Sequence, residues 1–318
     1  MAVPTSSIDR QSWLLLLLLS VLWGGSFFFT GVAVRELPPL TIVMVRVTLG
    51  AALLLSVIHV AGGSLPKTVA GWRPFLVMGL LNNIIPFSLM ARGTGRVYAV
   101  AAQMYISSGL ASVLNATTPL FTVLVLASFG DERLTARRIV GVMVGLAGVA
   151  ILRGPAFGDA HSQTIGLLLC LGGTLSYGFS GLWGRRKLVG VPAITSATCQ
   201  LICSSAVMIV IAAAVERPWQ LPMPSAATWL SLLGIAVLST ALAYIVFFEI
   251  MIRSGAANVM LVTLLIPVTA ILLGYLVLGE PLSAREIAGA LIIGSALLVI
   301  DGRVFAWIGR PAPAGGGG

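Results

Sequence analysis

GDERLTARRIVGVMVGLAG, residues 130–148, has a counterpart 148 residues later, LGEPLSAREIAGALIIGSA, residues 278–296. At that offset Glu132 meets Glu280, Leu134 meets Leu282, Thr135 meets Ser283 and Gly141 meets Gly289. Upstream, Pro119 meets Pro267 at the same spacing. Nearer the start of each half, WGGS at 23–26 meets YGFS at 177–180, and Asn82-Asn83 meet Ser239-Thr240. The chain is therefore a tandem duplication, and what was duplicated decides the fold.

Each copy is a series of apolar runs. Hydrophobic residues make up 58% of the 318 positions and charged residues 9%, with a mean hydropathy of +1.03. A soluble domain carries about 25% charged residues, so too few charges remain here to cover a wetted surface. Ten runs are legible, at 13–34, 40–61, 74–91, 104–129, 136–152, 165–184, 193–215, 226–250, 255–278 and 284–300. Most are long enough to cross about 30 Å of hydrocarbon as helices, and none alternates as a barrel strand would. The first run is too long for a signal-peptide core and is expected to stay as a span. The expected fold is an all-α polytopic membrane protein of ten transmembrane helices. Five spans per copy is an odd number, so the second copy must sit upside down relative to the first. Such inverted repeats are a recurrent plan of secondary transporters. The units are 13–152 and 165–301, followed by a cytoplasmic tail, 302–318.

Loop charges agree with this count. With the N-terminus inside, twelve Lys and Arg fall on the cytoplasmic side and six on the outer side, leaving Arg46 within a span. That bias places both termini in the cytoplasm of a multi-pass cell-membrane protein. It also accounts for the net charge of +9 without nucleic acid. The three cysteines, Cys170, Cys199 and Cys203, lie in apolar runs without metal-binding spacing. No P-loop, HExxH or G-x-S-x-G occurs, so neither ATP drive nor an enzyme is expected, and no cofactor or metal is implied.

Polar residues inside the spans are the candidate substrate ligands. Asn82 and Asn83 sit near the middle of 74–91, where an unpaired amide costs a few kcal/mol. They either face a substrate or join helices, and the matching Ser239 and Thr240 put hydroxyls at the same depth in the other copy. Trp23 with Ser26, and Tyr177 with Ser180, share helix faces at i, i+3. The aromatic pair would either stack a planar substrate or pack. Asn115 and Thr263 precede Pro119 and Pro267, which act as hinges or as fixed kinks. Arg46 is an intramembrane charge, functional by default unless it snorkels to the interface. Ser283 and Glu286 form a capping box for the tenth helix, and Glu249 is placed to pair with Arg253. Gly141, Gly145 and Gly148 make a small-residue face suited to packing within the chain or to a homodimer seam.

These residues carry a resemblance. LWGGSFF (22–28) with Arg46 downstream, GLASVLNATTPLFTVL (109–124) running into GDERLT, and ANVMLVTLLIPV (257–268) running into LGEPLS resemble the drug/metabolite transporter superfamily, ten-span EamA-domain type. The resemblance covers about residues 13–301. It implies a ten-helix basket around a central cavity, with the fifth helix of each half at the periphery. It also implies export of a small metabolite, such as an amino acid or a related compound, by alternating access through the bilayer. RGTGRVYAVA, within 92–103, departs from the family, which joins these spans as tightly as the second half does. A channel-like facilitator and an intramembrane enzyme are the rival readings.

Overall fold

The computed structural model describes residues 9–60, 62–90, 106–131, 135–153, 160–254, 259 and 261–301. The departure at 92–103, Glu132 and the tail lie outside them. Every regular element in this set is helical. In chain order these are α1 (Arg10–Ala33), α2 (Pro39–Val60), α3 (Val69–Gly79), a π-turn (Leu80–Ile84) and α4 (Ile85–Met90). There follow α5 (Ser108–Asn115), α6 (Thr118–Ser128), α7 (Ala136–Arg153), α8 (Ala160–Lys187) and α9 (Ala193–Val215). A 3₁₀ turn at Pro218–Gln220 leads to α10 (Ala226–Leu233), a second π segment (Gly234–Leu242), α11 (Ala243–Ser254), α12 (Val262–Leu278) and α13 (Ala284–Asp301). Six segments are long and apolar enough to cross a membrane: 10–33, 39–60, 108–128, 164–187, 193–215 and 226–254. Arg138–Ile151 and Val262–Leu278 are shorter apolar helices.

Local chemistry sets these boundaries. Asp9, Thr68, Ser107 and Ser225 each accept a backbone N–H at the start of their helices, as N-cap residues do. The third rod begins at Val69, five residues before the apolar run itself, because Thr68 supplies that cap. α8 runs on to Lys187, beyond its apolar part, since Arg185, Arg186 and Lys187 suit the negative end of the helix dipole. Gly279 closes α12 in the left-handed region, at φ 66°, where a Cβ would be strained. The Ser283–Glu286 capping box forms as expected, with reciprocal bonds of 2.9 and 3.2 Å. The Glu249–Arg253 pair forms as well.

The helices are apolar on the outside. Leu14, Leu17 and Val21 on α1 are 58%, 50% and 53% exposed, a stripe with nothing to cover it but lipid. Polar side chains go inward: Asn83, Ser112, Thr117, Thr174, Thr198 and Ser204 are fully buried.

Packing pairs the helices across the two copies. α1 lies on α12, α6 on α8, α2 on α9 and α7 on α13. α3 packs on α9, and α2 on the second π segment. Two of the three glycines on the small-residue face of α7, Gly145 and Gly148, pack inside the chain. A Cβ on Gly145 would fall 2.2 Å from Leu120 of α6, and one on Gly148 would fall 2.8 Å from Ile293 of α13. Gly79 lets α3 approach α9 so closely that a Cβ would sit 2.8 Å from the Gln200 carbonyl and 2.7 Å from Ser204 Oγ.

Carboxylates at one end of the bundle tie the copies together. Glu216, past the end of α9, accepts Leu40 N–H, Thr41 N–H and Thr41 Oγ1–H at 3.0, 2.6 and 2.8 Å. Glu36, past α1, accepts from Ser225 N and Oγ, both at 2.7 Å. Glu280, past α12, accepts from Ser108 N at the start of α5. Each thus places an anion on the positive start of a helix in the other copy. The opposite end carries Arg186–Asp131, 2.5 Å, and Arg253 on Gln11 Oε1, 2.9 Å.

Two predictions follow from these contacts. Gly79→Ala should cost about 1–3 kcal/mol by overpacking, read as a lower thermal midpoint in detergent. Gly294→Ala, with open space around its Cβ, should not lower it. Equal midpoints for the two would contradict the α3–α9 contact. The second concerns acid. Bonds from Ser225 hold the Glu36 carboxyl below its usual range, and the Arg186 partner does the same for Asp131. Their contribution is present above the unfolded carboxylate range, about pH 4, and is lost as pH falls through the depressed folded values. A Glu36→Gln, Asp131→Asn double variant should therefore show a shallower fall of midpoint with acid than the parent.

Candidate functional site

Two polar clusters form inside the bundle from matched positions of the two copies. In the first, Arg46 of α2 donates through Nη1 to Ser26 Oγ of α1 and through Nε to Thr240 Oγ1, both at 3.1 Å. The Phe87 ring of α4 covers one face of the guanidinium, with Cζ 3.7 Å from the ring centroid. This is close enough for a cation–π contact. In the second, Asn82 Nδ2 donates to Gln200 Oε1 of α9 at 3.1 Å and reaches the Tyr244 hydroxyl of α11 at 3.4 Å. Ser180 Oγ of α8 donates to Asn82 Oδ1 at 3.2 Å.

Three of the four positions in each cluster correspond; the fourth does not, since Asn82 matches Ser239 and Thr240 matches Asn83. Ser26 matches Ser180 and Arg46 matches Gln200 at one offset; Phe87 matches Tyr244 at the offset that pairs Asn82-Asn83 with Ser239-Thr240. Ser26 lies seven residues before the end of α1, and Ser180 seven before the end of α8. Arg46 and Gln200 each lie seven residues after the start of their helices. Both clusters are thus about 10 Å deep at 1.5 Å per residue.

Both clusters are built on π-type turns, which recur at functional sites. Pro86 explains the first. In a regular helix its ring would strike the Asn82 carbonyl. The chain widens instead, and Ile85 N–H bonds back to Leu80 O. The next carbonyl in line, Leu81 O, would need the N–H that Pro86 lacks; Ser176 Oγ of α8 donates to it at 2.7 Å. In the second segment Thr240 Oγ1 donates to Ile235 O at 2.9 Å while accepting from Arg46.

The remaining sequence candidates fall in different places. Asn83 is fully buried in the α3–α9 seam and donates to Ser204 Oγ at 3.0 Å, and its Oδ1 has no partner among the described residues. Ser239 is buried with its hydroxyl unpaired among those residues. Trp23 packs on Phe247 at 5.5 Å between ring centroids. Tyr177 is half-buried within electrostatic reach of Arg46, and its carbonyl accepts from Ser180 Oγ at 2.8 Å. Asn115 ends α5, where Pro119 breaks the rod, and the Thr118 hydroxyl bonds the Asn115 carbonyl at 2.7 Å. Thr263 lies in the first turn of α12 and Pro267 in its second, buried. No hydrogen bond given by the structure ties Asn115 to either cluster. Sequence reasoning passed over Phe87 and Tyr244, although their match at the Asn82–Ser239 offset was there to be found. Among the described residues no His, Cys, Asp or Glu group is arranged to hold a metal.

Residues 11–154 and 164–300 each match the EamA-like transporter family. The chain is 29% identical over 288 residues to an uncharacterised inner membrane transporter, YedA, of Escherichia coli K12, covering 90% of this chain and 89% of that one. It is 27% identical over 297 residues to an uncharacterised transporter, YvbV, of Bacillus subtilis, at 91% and 90% coverage. It is 25% identical over 301 residues to a probable amino-acid metabolite efflux pump of Salmonella typhimurium, at 92% and 95%. A crystal structure 19% identical in sequence shares the fold, with a TM-score of 0.63 over 95% of this chain and all of the other. The chain belongs to the EamA-like transporter family, and it is a multi-pass membrane transporter, not an enzyme.

Proposed function

We propose that this transporter is a secondary carrier that exports a small polar metabolite, such as an amino acid or a related compound, across the cytoplasmic membrane by alternating access. The observation that carries this reading is the pair of matched clusters, each at the same depth from its own helix ends. Ten spans arranged as two inverted five-helix repeats, 13–152 and 165–301, with both termini cytoplasmic, account for that matching. In this arrangement the Arg46 cluster lies toward the outer face and the Asn82 cluster toward the inner face, with the midplane between them. The exchange of partners is also self-consistent. Swapping the copies turns α1 on α12 into α8 on α6, turns α3 on α9 into the second π segment on α2, and leaves α2 on α9 and α7 on α13 unchanged. The name of the Salmonella relative supports the amino-acid class and the outward direction. A channel, the rival reading, would need a polar lining that runs unbroken through the bundle.

Asn82, Gln200, Ser180 and Tyr244 form one wall of the substrate site, and Arg46, Ser26 and Thr240 the other, with Tyr177 and Trp23 as aromatic flanks. Pro119, at the break between α5 and α6, and Pro267 serve as the hinges. Asn83 acts structurally, holding α3 to α9.

Counterflow in proteoliposomes tests the carrier. Preloading with unlabelled substrate should accelerate uptake of the labelled compound; a channel gives no such acceleration. A panel of amino acids and related metabolites without a single case of counterflow would sink the reading. Variants divide the two asparagines. Asn82→Ala should raise the half-saturation concentration about 2- to 12-fold, as expected for one lost hydrogen bond, at normal expression. Asn83→Ala should instead lower the thermal midpoint and leave half-saturation unchanged.

A further inference from the structure

The two clusters differ in one respect that their matching makes conspicuous. One copy carries a permanent cation, Arg46, where the other carries the neutral Gln200. Arg46 has no carboxylate partner among the described residues; its bonds go to two hydroxyls. Nor is another described carboxylate free to pair with it. The three rim carboxylates are committed to helix starts in the other copy, Asp131 and Glu249 to ion pairs at the opposite end, and Asp9 and Glu286 to caps of their own helices.

An unpaired charge away from water costs several kcal/mol. A guanidinium has five N–H donors in a plane. Nε donates to Thr240 and Nη1 to Ser26, while Nη2 donates to no protein group among the described residues. Phe87 occupies a face of the plane and leaves the edge at Nη2 open. Such an edge is shaped for an oxyanion, which takes two parallel N–H bonds from it. Snorkelling does not explain the side chain, because both of its bonds point to other helices of the bundle interior.

We infer that Arg46 is the anion anchor of the transport site, and that the substrate presents a carboxylate to it. The inference rests on reading the clusters as the substrate site. Thr240 and Ser26 hold the guanidinium in register, and Phe87 fixes its plane. The Asn82 cluster, neutral throughout, takes the uncharged polar part of the same molecule. A small inorganic anion such as chloride would satisfy the same edge, so the test separates the two sources.

Purified protein in detergent is titrated with pairs of compounds that differ only in carboxylate against carboxamide. The pairs are amino acids and their amides, and short-chain acids and their amides, each run in chloride and in sulfate buffer. Some acids should raise the thermal midpoint while their amides do not. In Arg46→Gln the apparent affinity for those acids should fall about ten- to hundredfold, as for loss of a charged hydrogen-bond donor. Arg46→Lys should keep the acid preference with weaker binding, which guards against a Gln variant that does not fold. A midpoint that responds to chloride alone supports the anion site but assigns it to an inorganic ion, overturning the carboxylate. Equal response to acids and amides, or no response to any anion, overturns the anchor. Counterflow of a neutral compound would do so as well if it ran at the same rate in parent and Arg46→Gln, while leaving the carrier reading intact.

Discussion

Hydrocarbon offers a backbone carbonyl nothing to bond to, and this constraint organises the structure. It forces the chain into helices and makes every departure from regular helix carry its own compensation. The compensations are individually visible. Ser176 bonds the Leu81 carbonyl that Pro86 leaves without a partner, Thr118 bonds the Asn115 carbonyl four residues before Pro119, and Thr240 bonds Ile235 O across a π turn. Each such hydroxyl must sit at one depth on one helix face. The irregular turns therefore fix where polar side chains enter the apolar interior, and the candidate site is assembled from them.

The same constraint separates polar residues that hold the fold from those free to act. Asn83 is one turn position from Asn82 but points into the α3–α9 seam, where Gly79 brings the backbones together and Ser204 takes its amide. Asn82 is half-buried and reaches three partners on two other helices and one neighbouring rod. Adjacent amides with the same hydropathy thus have different surroundings, because successive side chains on a helix diverge by about 100° and only one of the two can face the centre.

Much of the architecture was legible in the sequence. Apart from 255–278, the apolar runs lie within about five residues of the described helix ends, and the capping box and the Glu249–Arg253 pair formed as read. The sequence also offered a choice for the α7 glycines that only packing could make: they close on Leu120 and Ile293 within the chain. The site was legible in part. Ser26, Arg46 and Thr240 meet in one cluster and Asn82 and Ser180 in the other, whereas Phe87 and Tyr244 passed as ordinary aromatic residues in apolar runs. Their direction depends on the π turns, and nothing in GLLNNIIPFSL announces a π turn until Pro86 is set against the Asn82 carbonyl and a hydroxyl is found on another helix to meet what is freed.

The difference between the clusters bears on how a duplicated carrier can hold a preference for one side. If the copies were identical, the site would bind a substrate with equal energy in its inward-open and outward-open forms, and direction would come from concentration alone. Under the inverted arrangement proposed above, a single substitution between copies, Arg46 against Gln200, breaks that equality. An anionic group held between the two walls would gain a charge-assisted bond from the Arg46 wall and only a neutral one from the Gln200 wall, a difference on the order of 1 kcal/mol or more. A bond of that kind does not drive net flux, which the gradient must supply, but it sets the relative affinity of the two sides. Three carboxylate-to-helix contacts join helices at the end of the bundle nearer Arg46, and under the cycle proposed above release on that side would require them to part. In that cycle the charged anchor and these contacts would act on the same step, whereas the end nearer the neutral cluster is tied by the Arg186–Asp131 pair and the Arg253–Gln11 bond instead.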